Sequence, residues 1–400
     1  MKRLLIIGAG FAGMYAALSA ARQRDVAKVS PDALEIAVVA PEPRLVIRPR
    51  LYEPAPETLS APLLELFAAL DIRYEQGRVE AIDAGTVDVV GADGARRALR
   101  YDRLVLAAGS RLFRPDLPGV AEFAFSVDQL DDAVALDRHL HALAARPASA
   151  ARDTVVVAGG GFTGIEVATE MPPRLRAVLG RDAGIRVVMV DRNDSVAPDM
   201  GPNPRPLILD ALQATGVETR LGVGVEALDA TGVVLTSGER IESATVIWAA
   251  GLRASPLTAQ IPAERDRGGR LLVDRDLRVP GLPSVFAAGD TAHVATDDLG
   301  NIALMSCQHA NRLGAAAGHN AAAELLGLPT EPYQQRNYVT CLDLGAAGAI
   351  FTRGWDRVVE MTGETGKAMK REINTQWIYP PAADREKAFA AAEWARLVDY

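Results

Sequence analysis

The sequence predicts an α/β protein with two parallel-sheet units and a smaller α+β region at its C-terminal end. Three observations predict it. Gly8-Ala9-Gly10-Phe11-Ala12-Gly13 follows the short apolar run Leu4 to Ile7, and Gly159-Gly160-Gly161-Phe162-Thr163-Gly164 follows Thr154 to Ala158. Each glycine-rich turn opens a helix-like segment, Met14 to Ala21 and Ile165 to Glu170. The same order of elements then repeats: a β-rich middle and a strand ending in Ala108-Gly109 or Ala250-Gly251. That is a duplication of domain scale rather than a solenoid.

The glycines carry the chemistry. Gly8 and Gly159 allow the tight turn off the strand. Gly10 and Gly161, lacking Cβ, let a pyrophosphate approach the backbone. Gly13 and Gly164 let the helix lie close to the strand. A pyrophosphate then sits at a helix N-terminus, where free N–H groups favour an anion. Strand, turn and helix in this order, present twice, predict two Rossmann-like dinucleotide sites facing one another. A flavin that takes hydride from a nicotinamide needs that arrangement.

The acid after each second strand separates the sites. Ile185 to Asp191 is a β-like run, and Asp191 at its end can accept hydrogen bonds from a ribose 2′-OH. This favours NADH, while the adjacent Arg192 leaves NADPH open. In the first unit Glu35 to Ala40 is the matching run, and Ala40 stands where the acid would be. Glu42, two residues on, is either its substitute or an exposed loop carboxylate.

A chain of 400 residues exceeds one ordinary core, so two or three domains follow. We place a first dinucleotide unit at 1–112 with 256–330, a second at 113–255, and the C-terminal region at 331–400. Pro115-Asp116-Leu117-Pro118-Gly119 and Pro280-Gly281-Leu282-Pro283 read as hinges. A net charge of −8 argues against nucleic acid as a partner. No apolar run approaches the roughly 20 residues of a membrane span. Lys2-Arg3 before an apolar stretch mimics a signal peptide, but the glycine turn that follows does not fit one. A cytoplasmic location is expected. The two cysteines, Cys307 and Cys341, form no CxxC pair, so no thioredoxin-reductase-like dithiol is encoded. The histidines show no metal-ligand spacing, and no metal is expected. His139 and His141, in the helix-like stretch Asp131 to Ala145, read as solvated. So do Lys367, Lys370 and Arg371.

Together these elements resemble the two-dinucleotide-domain flavoproteins, the pyridine nucleotide-disulfide reductase superfamily without its disulfide. The chain looks most like type II NADH dehydrogenases and their apoptosis-inducing-factor-like relatives. Four stretches carry the resemblance: Gly159 to Ala168, Val246 to Gly251, Ala288-Gly289-Asp290, and Cys307-Gln308-His309-Ala310. It implies FAD in the first unit and NADH in the second. It also implies that Gly289 and Asp290 hold the flavin ribityl chain and pyrophosphate; as a bare motif, Asp290 also fits a helix N-cap. Phe11, Ala12, Val79, Ala108, Gly109, His309 and Ala310 join the FAD contacts by the same resemblance, and Thr163, Ala250 and Gly251 the nicotinamide-nucleotide contacts. Glu166 and Gln308 become the catalytic candidates, Glu166 near the facing rings and Gln308 at the helix start beneath the flavin. Glu166 equally fits a carboxylate serving the helix dipole. Arg48 and Arg50 either steady charge on a reduced flavin or form a surface basic pair.

The implied acceptor is a quinone. Arg312 stands where the resemblance calls for a second glutamine. A ferredoxin or rubredoxin reductase, a sulfide:quinone oxidoreductase-like enzyme and a slow NADH-sensing flavoprotein are the other readings. The sulfide reading would need a cysteine pair, for which Cys341 alone is suitably placed. The tail Asp384 to Val398 is helix-like. Phe389, Ala392, Trp394, Leu397 and Val398 form a modest apolar face among acids. Acidic tails bind anionic lipid poorly. Weak peripheral contact with the inner membrane face, or a homodimer, is what the tail allows.

Overall fold

The computed structural model describes residues 1–393. Two five-stranded sheets dominate it, and both are entirely parallel. The first runs Val285–Ala287, Arg103–Leu106, Lys2–Ile7, Leu34–Ala40, Arg73–Gln76 in spatial order. The second runs Ala124–Phe125, Thr245–Trp248, Thr154–Ala158, Arg186–Asp191, Val217–Leu221. In each, the strand before the glycine fingerprint lies at the centre and the Ala-Gly strand is its neighbour. Parallel sheets are covered on both faces, which is why Leu4–Ile7 and Thr154–Ala158 read as unbroken apolar runs and are buried throughout.

Helix α1 spans Phe11–Val26 and α2 spans Phe162–Leu179. Both outrun the segments expected from sequence. Prolines at 172 and 173 lie inside α2, just past the expected end at Glu170, and the helix continues through them. A proline at 173 leaves the Thr169 carbonyl without its helical donor. A loop packs closely on that carbonyl, so that a Cβ on Gly345 would lie 2.3 Å from Thr169 O. The long helix α3, Cys307–Leu326, crosses α1 at backbone contact. A Cβ on Gly314 or Gly318 would lie 2.1 and 2.0 Å from the carbonyls of Ala12 and Ala16. The small residues that made this stretch look merely alanine-rich are what let the two helices touch.

Each β-rich middle is a three-stranded antiparallel sheet, Arg78–Asp83 to Arg96–Arg100 and Val225–Asp229 to Arg240–Glu242. The chain crosses between the parallel sheets on a two-stranded ribbon, Ser110–Leu112 against Leu252–Ala254. The expected second hinge at Pro280–Pro283 is instead a tight turn feeding Val285–Ala287 into the first sheet: Leu282 N donates to Val279 O, and Val285 N to Leu282 O. The C-terminal region packs α4 (Gly363–Glu372) on the antiparallel strands Val339–Asp343, Ala349–Arg353 and Val358–Met361. A helix covers Arg385–Ala391. Trp394, Leu397 and Val398 of the expected tail lie outside the described residues. No helix among the described residues is long and apolar enough to cross a membrane.

Candidate functional site

The two fingerprints fold alike, and each glycine meets a different constraint. Gly8 (φ 110°) and Gly159 (φ 125°) turn in the region open to glycine, and a Cβ there would strike Ala107 O at 2.4 Å or Ala249 O at 3.0 Å. Around Gly10 and Gly161 nothing lies within 4 Å of an added Cβ. Those positions face the open space above the helix N-termini, where a pyrophosphate fits. A Cβ on Gly13 or Gly164 would lie 1.9 or 1.8 Å from the carbonyl of Gly8 or Gly159. Thr163 is exposed on the first turn of α2, while Phe11 and Ala12 are buried on α1. The residues present therefore suit two dinucleotides.

The first cradle is closed by Ala288-Gly289-Asp290. Gly289 abuts Ala12 and Ala310, which joins the starts of α1 and α3. Asp290 Oδ2 accepts from Ser110 Oγ (2.6 Å) and lies 3.5 Å from Arg48 Nη1. Burial pushes its pKa up, and Arg48 and Ser110 oppose the shift. Arg48 is not a free surface base: Nη2 also donates to Asp128 Oδ1 (2.5 Å). Arg50 is likewise engaged, with Glu53 (2.6 Å) and Tyr379 OH (3.1 Å). Ala108 and Gly109 end the neighbouring strand beside Arg48. Glu42 is exposed and paired with Arg44, so it takes the form of a loop carboxylate. Val79 lies half-buried in the antiparallel sheet, packed on the core beneath it.

In the second cradle Asp191 is buried. Its Oδ2 accepts from the Gly160 amide (2.5 Å), and its Oδ1 from the backbone and side-chain N–H of Asn193 (2.7 Å each). The acid thus sits against the glycine turn at Gly160, while Ala250 closes on Gly159 from the strand on the other side of the fingerprint strand, with Gly251 next to it in the chain.

Glu166 has the most developed surroundings. It is 4% exposed, on the first turns of α2. Lys370 Nζ donates to its Oε1 (2.7 Å) and to Cys341 O (3.0 Å), and Asp343 N donates to the same Oε1 (3.1 Å). Asp343 in turn accepts from Lys367 Nζ (2.5 Å) and Tyr52 OH (3.0 Å). Burial lifts the Glu166 pKa to about 7, with Lys370 pulling the other way. Burial alone would lower the Lys370 pKa, but Glu166 and its neighbours hold it above the ordinary lysine value. The sequence placed Lys370 on a solvated face. It is instead 5% exposed, the buried counter-charge to Glu166, while Arg371 does lie in solvent. His139 was also expected in water. It is part-buried and pairs with Thr245 Oγ1 (2.8 Å), and burial lowers its pKa to about 4.

At the start of α3, Ser306 caps the helix by accepting from His309 N, and Gln308 Oε1 accepts from Val339 N (3.4 Å). Burial pushes the Cys307 thiol up to about 11, and the strand Val339–Asp343 ties this end of α3 to the Glu166–Lys370 pair, through Val339 N on Gln308, Asp343 N on Glu166 and Cys341 O under Lys370. Cys307 and Cys341 are both free thiols. The His309 ring turns into the protein, against Tyr338 and Trp355, so any contact of this residue with a cofactor falls to its backbone.

Two duplicated dinucleotide cradles meeting at a buried acid–base pair define a pyridine-nucleotide flavoprotein oxidoreductase. The chain belongs to the pyridine nucleotide-disulphide oxidoreductase family, whose profile matches residues 2–314. It is an enzyme that uses FAD and NADH. It is 47% identical over 395 residues to an NADH dehydrogenase-like protein of Mycobacterium tuberculosis, covering 98% of each chain. A type II NADH:quinone oxidoreductase of the same organism is 35% identical over 322 residues, or 73% of this chain and 66% of that one. Among solved structures, NDH2 from Plasmodium falciparum in complex with NADH superposes with a TM-score of 0.79 at 14% identity, over 99% of this chain and 98% of the other.

Proposed function

We propose that this enzyme passes electrons from NADH through FAD to a quinone-type acceptor. Residues 1–112 with 256–330 form the FAD unit in this reading, and 113–255 the NADH unit. The observation that carries it is the convergence of the two cradles on Glu166, Lys370 and the start of α3. FAD, when bound, supplies the ring that accepts hydride from the nicotinamide and gives up electrons to the acceptor.

The protein's own part is binding, orientation and proton management. The amides after Gly10 and Gly161 bind the two pyrophosphates. Asp290, held by Ser110 and Arg48, keeps one oxygen for a ribityl hydroxyl. Asp191 offers its remaining lone pairs to a ribose hydroxyl, which disfavours a phosphate there. Glu166 titrates near neutrality, so it can hold a proton or release one as the charge of the site changes. Lys370 keeps the ionised form tolerable in a site closed to water. Tyr52, Asp343 and Lys367 extend this hydrogen-bonded chain toward the surface, where Lys367 is a quarter exposed.

Stopped-flow absorbance tests the reading. NADH should bleach the flavin, and added naphthoquinone should restore it within seconds. A long-lived NADH complex indifferent to quinone would remove the quinone from the scheme.

A further inference from the structure

The turn Gly354 to Arg357 sets two side chains against α3. Trp355 stacks on Tyr338, centroids 4.6 Å apart and planes at 28°. His309 lies 4.9 Å from Tyr338 and 5.9 Å from Trp355. The Arg357 guanidinium sits 4.3 Å over Tyr338 and 5.9 Å from Trp355. Arg357 is only 5% exposed, with a left-handed φ of 54°. A side chain of this size adopts that backbone only where its surroundings impose it.

Arg357 Nε and Nη1, Trp355 Nε1 and His309 Nε2 are buried without partners. His309 Nδ1 faces Ser306 Oγ at 2.9 Å, and that oxygen already accepts from His309 N. The neutral ring carries one hydrogen, on Nδ1 or on Nε2, and the Ser306 hydroxyl can serve either tautomer. Burial first, then the guanidinium groups of Arg312, Arg357 and Arg270, keep the ring neutral by lowering its pKa to about 3. Three of the orphaned atoms, Arg357 Nε and Nη1 and Trp355 Nε1, can only donate. Arg357 has no ion-pair partner among the described residues, and a buried guanidinium without a counter-charge is strongly disfavoured. The cluster lacks an acceptor bearing negative charge. It stands beside the start of α3, one residue from Gln308.

We propose that Trp355 and Arg357, packed beside His309, bind the anionic substituent of a flat aromatic acceptor, so that the enzyme favours charged naphthoquinone-type rings over neutral lipid quinones. This rests on the quinone reading above. The turnover balances: NADH gives a hydride and becomes NAD⁺, and with one proton from solvent the quinone becomes its hydroquinone. The anionic group takes no part in the electron count and serves for binding.

The test uses the FAD-loaded enzyme. Calorimetry with naphthoate, which is redox-inert, reads the site without turnover. Naphthoquinone sulfonate and unsubstituted naphthoquinone are then compared as acceptors. Arg357→Gln should weaken naphthoate about 10- to 100-fold and raise KM for the sulfonate similarly, the range of a charge-assisted hydrogen bond. KM for the uncharged quinone and the rate of flavin bleaching by NADH should hold. Trp355→Phe keeps the ring but loses the N–H, and should weaken naphthoate by about 2- to 10-fold. It carries the test if Arg357→Gln does not fold. No naphthoate binding to the wild type, equal binding by all three proteins, or KM rising equally for both quinones would overturn the proposal. Arg357-dependent naphthoate binding with no quinone turnover would uphold the site and sink the quinone reading instead.

Discussion

Replacing Lys370 by Met probes the buried pair through the pH dependence of stability. Glu166 titrates at about 7 in the fold, against an ordinary value of 4.5. Between those values the native state holds a proton that the unfolded chain has lost, so stability falls as pH rises through the window. Lys370 is what keeps that titration from lying higher. Without it, the native variant retains the Glu166 proton above pH 7, where the wild type releases it, while the unfolded chains are alike at this site. The stability difference must then grow by about 1.4 kcal/mol per pH unit above 7, up to the variant's own titration point. Near pH 6 both proteins carry a protonated Glu166, and the variant loses only hydrogen bonds and fit, about 1–3 kcal/mol. The assay is the denaturant midpoint of flavin-loaded protein at pH 6, 7, 8 and 9, followed by flavin release. Adding Glu166→Gln to the variant removes the titrating group and should flatten its difference from the wild type above pH 7. An equal Lys370→Met deficit at pH 6 and pH 9 would refute the argument that this lysine sets the charge of Glu166.

Three further substitutions separate the roles of the cradles. Gly164→Ala puts a methyl 1.8 Å from the Gly159 carbonyl and should abolish NADH-driven bleaching while dithionite still reduces the bound flavin. Equal NADH affinity in this variant would show that α2 can retreat from its strand. Asp290→Ala removes a buried acceptor and strands Ser110 Oγ, so the flavin-to-protein ratio of purified enzyme should drop; an unaltered ratio places the ribityl contact elsewhere. Asp191→Ala should raise KM for NADH about tenfold, the loss of one charge-assisted hydrogen bond, and narrow the preference over NADPH, which steady-state kinetics with both nucleotides will read.

What the sequence disclosed divides along chain distance. A glycine fingerprint is a local requirement: turn, approach and helix contact are met within Gly8–Gly13 or Gly159–Gly164, so both were legible. The strand end at Gly289-Asp290 was legible because its strand and turn are neighbours in sequence. Lys370 was not. Its partner Glu166 lies 204 residues away, and among Glu364, Lys367 and Arg371 a lysine looks like any solvated charge. Only the fold, by packing α4 on the strands Val339–Asp343 and Ala349–Arg353 and so bringing Lys370 to Glu166, buries it. Arg357 was hidden for a related reason: neither its burial nor its left-handed backbone follows from Trp-Asp-Arg in a turn. Helix length failed differently. Pro172-Pro173 is a sound stop signal locally, and the close packing of Gly345 on the carbonyl it frees is a tertiary fact.

On the proposed assignment, with FAD in the first cradle and NADH in the second, the duplication also bears on why one nucleotide would stay and the other leave. The two turns have nearly the same geometry, so they cannot by themselves distinguish a resident group from an exchanging one. What differs is how each helix is held. Thirteen of the sixteen residues of α1 are buried, pressed between its sheet and α3 with Gly314 and Gly318 at backbone contact. Only ten of the eighteen residues of α2 are, and its first turn keeps Thr163 in solvent. A nucleotide in the first cradle lies where Gly289 locks α3 to α1, so its release needs those helices to part. One in the second meets Gly161 and Thr163 at an open edge, with Asp191 already satisfied by Gly160 and Asn193 and able to lose a ribose hydroxyl at little cost. The missing acid at Ala40 fits the same proposal: enclosure would hold the first nucleotide, whereas the second, which must come and go, would depend on a reversible contact at Asp191.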